Sequence, residues 1–402
     1  MHNTTPQRFP VKGLLLLSSA VAAATLVACG GGGGSASTGT LQLAMTDSPG
    51  CGYDHVYVTV NKIRVHQSAT AADSDGGWQE VTVSTPQKID LLGLTNGVLQ
   101  ELGSLPMPAG RYEQVRLVLS NATLANSLVL SGTTNEIALT TPSGQQSGYK
   151  LQAHFDVAAN QVADMVLDFD ACKSIVRAGN SGNYNLKPVV AVTKRLTTQI
   201  EGYVDPAIAS SVVVSTRDTD NQLRATVPDS TTGKFVIAYL PESTNYTVVL
   251  SGTGRTTAAV TGVPVSTSIG VTRLNTQTTL IPLPTSSTAQ VTGTVTDASS
   301  TAITEASVLA RQSLSTSQLL DVAWTNVDPT TAQYTLTLPL TAPQTANYVS
   351  NGGPLNFSAD TVTPTLYKVY GSASGYTTQT TDPNVTLGAA NSSVTKNLVL
   401  AP

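Results

Sequence analysis

The chain is expected to be all-β, a series of tandem β-sandwich domains, and three observations predict this. From Thr40 onward, short runs alternate apolar and polar residues with a period of two, as in Leu41-Gln42-Leu43-Ala44-Met45, and turn residues such as Asp47-Ser48-Pro49-Gly50 divide them. Charged residues make up only 11% of the chain, and Thr, Ser, Val, Ala and Gly dominate it. This is the texture of half-buried strands with a neutral polar exterior. Helix-period patterning is confined to a turn or two around Val98 to Leu102, so the strands follow one another as in a sandwich rather than alternating with helices.

Taken in order, the strand after Leu41–Met45 is His55 to Val65. Val56, Val58 and Val60 share one face, and the apolar parity then switches to Ile63 and Val65. One extra residue near Asn61-Lys62 returns both sets to the core, which predicts a β-bulge there. Further strands are expected at Trp78 to Val83, Tyr112 to Leu119, Ser127 to Leu130, Tyr149 to Phe155, Asp164 to Phe169 and Leu186 to Val192. Pro106-Met107-Pro108-Ala109-Gly110 precedes the second of these with fixed φ values and then a residue free to take positive φ.

At about Leu196 the texture changes and two looser units follow in one repeated order. The first runs from Gly202-Tyr203-Val204-Asp205 through Gly233-Lys234-Phe235 to Asn245-Tyr246-Thr247, and the second from Gly293-Thr294-Val295-Thr296-Asp297 through Gln333-Tyr334 to Tyr367-Lys368-Val369-Tyr370. With 402 residues the chain exceeds a single core. The expected division is 40–196, 197–285 and 286–402.

The N-terminus carries Arg8 and Lys12, an apolar stretch from Leu14 to Val27, the box Leu26-Val27-Ala28-Cys29, and then Gly30 to Gly34 with Ser35-Ala36-Ser37. The apolar stretch is shorter than the roughly 20 residues of a spanning helix and ends in small residues, as a cleaved secretion segment does. Together these features resemble a bacterial lipoprotein signal. The resemblance implies cleavage after residue 28, lipidation of Cys29, a flexible Gly/Ser-rich tether over 29–39, and attachment to the membrane through more than one acyl chain. Gly30 after the cysteine implies the outer membrane of a Gram-negative envelope. Loss of residues 1–28 leaves 19 basic against 25 acidic residues, a formal charge of −6, and no basic face for nucleic acid.

With Cys29 consumed by lipid, Cys51 and Cys172 remain, and an oxidising compartment favours one disulfide between them. It would close a loop of about 120 residues, with a chain-entropy effect of at most about 4–5 kcal/mol. No CxxC spacing or His-rich neighbourhood makes the pair a metal site.

Many ordered segments within 40–194 resemble a bacterial family catalogued as domain of unknown function 4382. They include Thr46-Asp47-Ser48-Pro49, Val56-Tyr57-Val58, Leu94-Thr95-Asn96-Gly97, Pro108-Ala109-Gly110-Arg111-Tyr112 and Val166-Leu167-Asp168-Phe169-Asp170-Ala171. That family brings no established activity. The two later units resemble carboxypeptidase-regulatory or transthyretin-like sandwiches, and the whole is expected to be immunoglobulin/transthyretin-like in architecture. The resemblance implies non-catalytic spacers or binding modules.

The strand Asp164 to Asp170 places Met165, Leu167 and Phe169 on one face and its aspartates on the other. Asp168 and Asp170 lie about 7 Å apart by strand rise. They are weak candidates for Ca²⁺ if Asp47 or Asp54 folds nearby, against a plain face neutralised by Lys173 or Lys187. Ser147-Gly148-Tyr149-Lys150 has the Ser-x-x-Lys spacing of acyl-serine enzymes, but on a strand positions three apart point to opposite faces. Trp78 and Trp324 could stack on sugars, although Trp78 precedes an alternating strand and is expected in the core. No catalytic group and no cofactor is assigned. The sequence therefore points to a lipid-anchored envelope protein that binds or scaffolds, with envelope polysaccharide or protein as partner. An envelope hydrolase and a structural subunit of an envelope assembly are the alternatives.

Overall fold

The computed structural model describes residues 37–48, 53–83, 86–141, 144, 147–178, 181–373, 375–380 and 384–402. Residues 1–36, which hold the signal, Cys29 and most of the tether, lie outside this set, as does Cys51. No described helix is long and apolar enough to cross a membrane. The compact unit that begins at Ser37 is nearly all β, and its three hydrophobic cores define three modules.

The first module packs two sheets face to face. One has the order Val190–Lys194, Val162–Asp170, Thr38–Ser48, Gln100–Pro108, and its central pair is parallel. Leu41, Leu43 and Met45 from one central strand and Met165, Leu167 and Phe169 from the other are each at most 3% exposed, so the alternation read from the sequence is the inner face of the sandwich. The second sheet centres on Tyr53–His66. Its pairing with Gly110–Leu119 slips between Val60 and Lys62, which is the expected bulge, and Val60, Ile63 and Val65 are all buried.

Two expectations need correction. Residues around Val98 to Leu102 do not form a helix: the strand Gln100–Pro108 occupies most of that segment and pairs with Thr38–Ser48, with a register shift at Leu43/Ala44. The pairing satisfies backbone groups that a short isolated helix would leave open. A 3₁₀ turn lies earlier, at Leu91–Leu94, where it buries Leu91 and Leu94. The single strand expected over Leu186 to Val192 is two, Tyr184–Leu186 and Val190–Lys194, which belong to different sheets. Pro188 lies between them, lacks an N–H and restricts the residue before it.

The second and third modules share one topology. In each, the strand that holds the first glycine of the repeated order, Gly202 in Gln199–Tyr203 or Gly293 in Thr288–Asp297, is central. It pairs antiparallel with Lys234–Ala238 or Gln333–Pro339, and parallel with Val271–Arg273 or Ser393–Thr395. Details repeat as well. A Cβ on Gly202 would lie 2.5 Å from the Phe235 ring, and one on Gly293 2.9 Å from Tyr334, so glycine makes room for the aromatic across the sheet. Asn275 Oδ1 accepts from Tyr203 N (2.8 Å) and Asn397 Oδ1 from Thr294 N (3.0 Å). Asp229 and Asp328 each cap a turn by accepting two backbone N–H bonds. Tyr246 OH donates to Pro241 O (2.8 Å) and Tyr367 OH to Pro339 O (2.7 Å).

The last two modules are also interlocked. Beyond the expected boundary at 285/286, Gln344–Asn347 crosses back and adds a parallel strand to Ala258–Val265 of the second module, with Ser358–Ala359 beside it. Tyr348, Leu355 and Phe357 pack against the second core.

Candidate functional site

Asp168 and Asp170 sit where the sequence placed them, at the end of Val162–Asp170, opposite Thr46 and Ser48 in the parallel register. Their partners explain their roles. Asp170 caps the short helix Ala171–Ser174, accepting from Lys173 N (3.0 Å), and its Oδ2 meets Lys173 Nζ at 2.5 Å. This is one of the two lysine partners the sequence offered. Asp168 Oδ2 lies 2.9 Å from Arg224 Nη1 on the second-module strand Leu223–Thr226. Arg224 is only 2% exposed, and its Nε also lies 3.8 Å from Asp218. Asp47 is buried beside them, and its Oδ1 accepts from Ala171 N (3.0 Å). Burial, then the charge of Asp170, holds the Asp47 carboxyl well above the ordinary carboxylate range. Among the described residues no group of three or more His, Cys, Asp or Glu is arranged to hold a metal ion.

The outer face of this sheet is therefore an interface between modules. Thr46 Oγ1 lies 2.9 Å from both Leu94 O and Val98 O, which share its one proton, and so fixes the loop that presents Asn96 and Gly97. Asn96 reaches between two end strands of the second module: its Oδ1 accepts from Val236 N (2.8 Å) and Thr226 Oγ1 (3.2 Å), and its Nδ2 donates to Val227 O (3.3 Å). Tyr239 OH donates to Gly97 O at 2.6 Å. Gly97 has φ +80° and a Cβ there would stand 3.0 Å from Ala238 Cβ, so both backbone and space require glycine. At the rim, Arg195 and Glu101 pair within the first module (2.7 Å).

The third module docks on the same end. Asn326 Nδ2 donates to Lys173 O (2.8 Å), Lys173 Nζ lies 5.0 Å above the Trp324 ring, and Lys187 pairs with Glu305 (3.1 Å). Arg217 of the second module and Arg311 of the third both pair with Asp321, at 2.7 and 2.5 Å. Where the three modules meet they leave a crevice of about 850 Å³, walled by Asp170, Cys172 and Lys173, by Ser215 and Thr257, and by Asp321 to Val327 with Trp324. Its size falls within the range of small-molecule sites, about 300–1,000 Å³.

Trp78 is not in the core. It lies on the outer surface of the first module, with the guanidinium groups of Arg64 and Arg116 at 4.6 and 4.9 Å from the ring, and its Nε1 donates to Ala72 O (3.0 Å). The ring is held there by cation–π contact with the two arginines and by His66, whose ring centroid lies 4.9 Å away. Ser147 and Lys150 are not brought together by any described bond: Ser147 O accepts from Arg116, while Lys150 is exposed on Tyr149–Val157. Cys172 is buried next to the crevice. The sequence marks no role for Arg224, Asn96 or Asn326. Arg224 carries no local signal, whereas Asn96-Gly97 is a dipeptide with turn chemistry.

The fold and site define an all-β protein of tandem sandwiches docked around a shared crevice. Residues 38–188, the first of these modules, match the family described as Domain of unknown function (DUF4382). No curated protein matches the chain. Among solved structures it is similar to the Bacillus anthracis TIE protein, at 11% identity over 90% of this chain and 51% of that one, with a TM-score of 0.19. It is also similar to the full-length major pilin SpaD from Corynebacterium diphtheriae, at 10% identity over 90% and 97% of the two chains with a TM-score of 0.18. Two B repeat units of the collagen binding protein of Staphylococcus aureus align at 12% identity over 90% and 98%, with a TM-score of 0.16. The chain spans about half the length of the Bacillus protein. At such TM-scores these likenesses carry no argument about function.

Proposed function

We propose that this chain is a non-catalytic binding and scaffolding protein, held at a Gram-negative outer membrane by lipid on Cys29. The observation that carries the binding role is the crevice: three separately cored modules are fixed by buried polar contacts so that their surfaces converge on it. Envelope polysaccharide or protein is the partner class. The Leu26-Val27-Ala28-Cys29 box and the glycine spacer support the anchor, and the repeated topology of the last two modules supports a reading as carboxypeptidase-regulatory or transthyretin-like spacers. A disulfide between Cys51 and Cys172 would staple the first module beside the crevice.

The test is a thermal-shift screen of the full chain in detergent against peptidoglycan fragments, neutral polysaccharides, uncharged peptides and Ca²⁺. A ligand-specific upward shift without turnover is expected; turnover abolished by substituting one polar cluster would overturn the reading. Labelled palmitate should enter the native chain and not Cys29→Ala. Non-reducing peptide mapping should join the Cys51 and Cys172 peptides, and finding both thiols open to alkylation would remove the staple.

A further inference from the structure

Four end strands of four sheets wall the crevice. Ile175–Arg177 ends the larger sheet of the first module, and Leu223–Thr226 ends the six-stranded sheet shared by the second and third. Leu319–Asn326 and Gln333–Pro339 end the two sheets of the third. Side chains of a strand alternate between its faces. A wall built by every second residue is thus a strand face, and one built by every residue is the main-chain edge. Ile175 to Arg177 and Asp321 to Val327 line the crevice without a gap, so at these two walls the main chain itself is presented. End strands carry a row of N–H and C=O groups on their outer side, a template for another strand. Among the described residues no strand pairs with the outer side of any of the four.

The molecule already lengthens one of these sheets by strand addition. At the far end of the six-stranded sheet, Gln344–Asn347 lies parallel to Ala258–Val265, with Ala258 opposite Gln344 and Thr261 opposite Asn347. The opposite end of that sheet is Leu223–Thr226, whose alternate residues Leu223 and Ala225 line the crevice. Most charges on the walls are matched internally, Asp170 by Lys173 and Asp321 by Arg217 and Arg311, and the two others, Arg177 and Asp328, are of opposite sign. The Thr257 hydroxyl, in a residue 1% exposed on the same wall, has no hydrogen-bond partner. An occupant therefore meets polar groups, main chain and charges of both signs, with no large excess of either.

We infer that the crevice receives an extended, uncharged segment of a partner polypeptide as an added strand, with Trp324 packed against it. The run Asp321 to Val327 spans about 20 Å at strand rise, which sets the segment at about six residues. Main-chain bonds would supply affinity and alternate side chains the selectivity. This inference rests on the binding reading above and narrows its partner.

The test uses the full chain with Trp78→Phe, which leaves Trp324 as its one tryptophan, and an array of uncharged octapeptides that alternate Ser or Thr with Val, Ala or Tyr. A binding peptide is expected to change Trp324 emission and to slow amide exchange at least tenfold in Leu319–Asn326 or Ile175–Arg177, the two strands whose main chain faces the crevice. Thr335→Arg, at an exposed position on the crevice wall, should weaken that peptide at least tenfold with an unchanged unfolding midpoint. Saturable binding of a peptidoglycan fragment or dextran in place of any peptide would overturn the strand-addition inference and leave the binding reading standing. Failure of Trp324 to respond to the array and to the sugars would sink both.

Discussion

Asp47 shows how a single carboxyl can work against its own fold. Its folded pKa is raised, by burial first and by Asp170 second, so the neutral form is the one the structure favours. Stability from this group is fully present below the unfolded value of about 4 and is lost as pH rises through the folded value. Asp47→Asn keeps an oxygen for Ala171 N and removes the charge. It should raise the unfolding midpoint at pH 7 and leave it unchanged near pH 3, as read by thermal unfolding across pH. Asp168 makes the opposite case. Losing it leaves Arg224 buried beside Asp218 alone, at 3.8 Å, and Asp168→Asn should cost about 3–5 kcal/mol. Arg224→Met combined with Asp168→Asn should recover most of that loss, and simple additivity of the two variants would show that the pair is not coupled. The two outward aspartates were legible in the sequence because strand alternation fixes which way each points. Their partners were only half legible: Lys173 is three residues from Asp170, whereas Arg224 belongs to another module and meets Asp168 only through the fold.

At the scale of elements, the repeat between the last two modules was legible as an order of motifs, because glycine, aspartate and aromatic residues recur in one sequence. The asparagines that lock each central strand were not, since a lone Asn far along the chain has no period to betray it. The two sites predict different costs. Asn275 is 1% exposed and also donates to Tyr203 O and Thr279 O, so Asn275→Ala should destabilise by about 2–3 kcal/mol in denaturant titration. Asn397 is exposed, and Asn397→Ala should cost about 1 kcal/mol or less. Tyr246 and Tyr334 give a pH signature: burial pushes each hydroxyl up to about 12. Because those folded values are raised, their stabilising effect is complete below pH 10 and disappears as pH climbs towards 12. Alkaline unfolding should track tyrosinate absorbance. The bulge near Asn61-Lys62 was readable from a parity switch, while the supposed helix near Val98 was not excluded by any local rule and yielded to pairing with Thr38–Ser48.

At the scale of the molecule, the modules are not beads on a string. The first is bolted to the second through Asn96, Gly97 and the Asp168–Arg224 pair, the third lends a strand to the second, and all three enclose the crevice. Composition pointed to sandwiches with a weakly charged exterior, but could not announce docking, because the contacts join residues with no sequence relation. Gly97→Val, which forces a side chain against Ala238 at a positive φ, should loosen the first module from the second and raise proteolysis near Leu196 without unfolding either core. The central claim is that the crevice enclosed by this docking is where the protein binds. The most direct measurement is a Trp324 fluorescence titration of the full Trp78→Phe chain against uncharged peptides, peptidoglycan fragments and neutral polysaccharides. A saturable change for one ligand class, with the ligand recovered intact and the response lost in Thr335→Arg, is the predicted result. A flat response to every class, or conversion of the ligand during the titration, would contradict it.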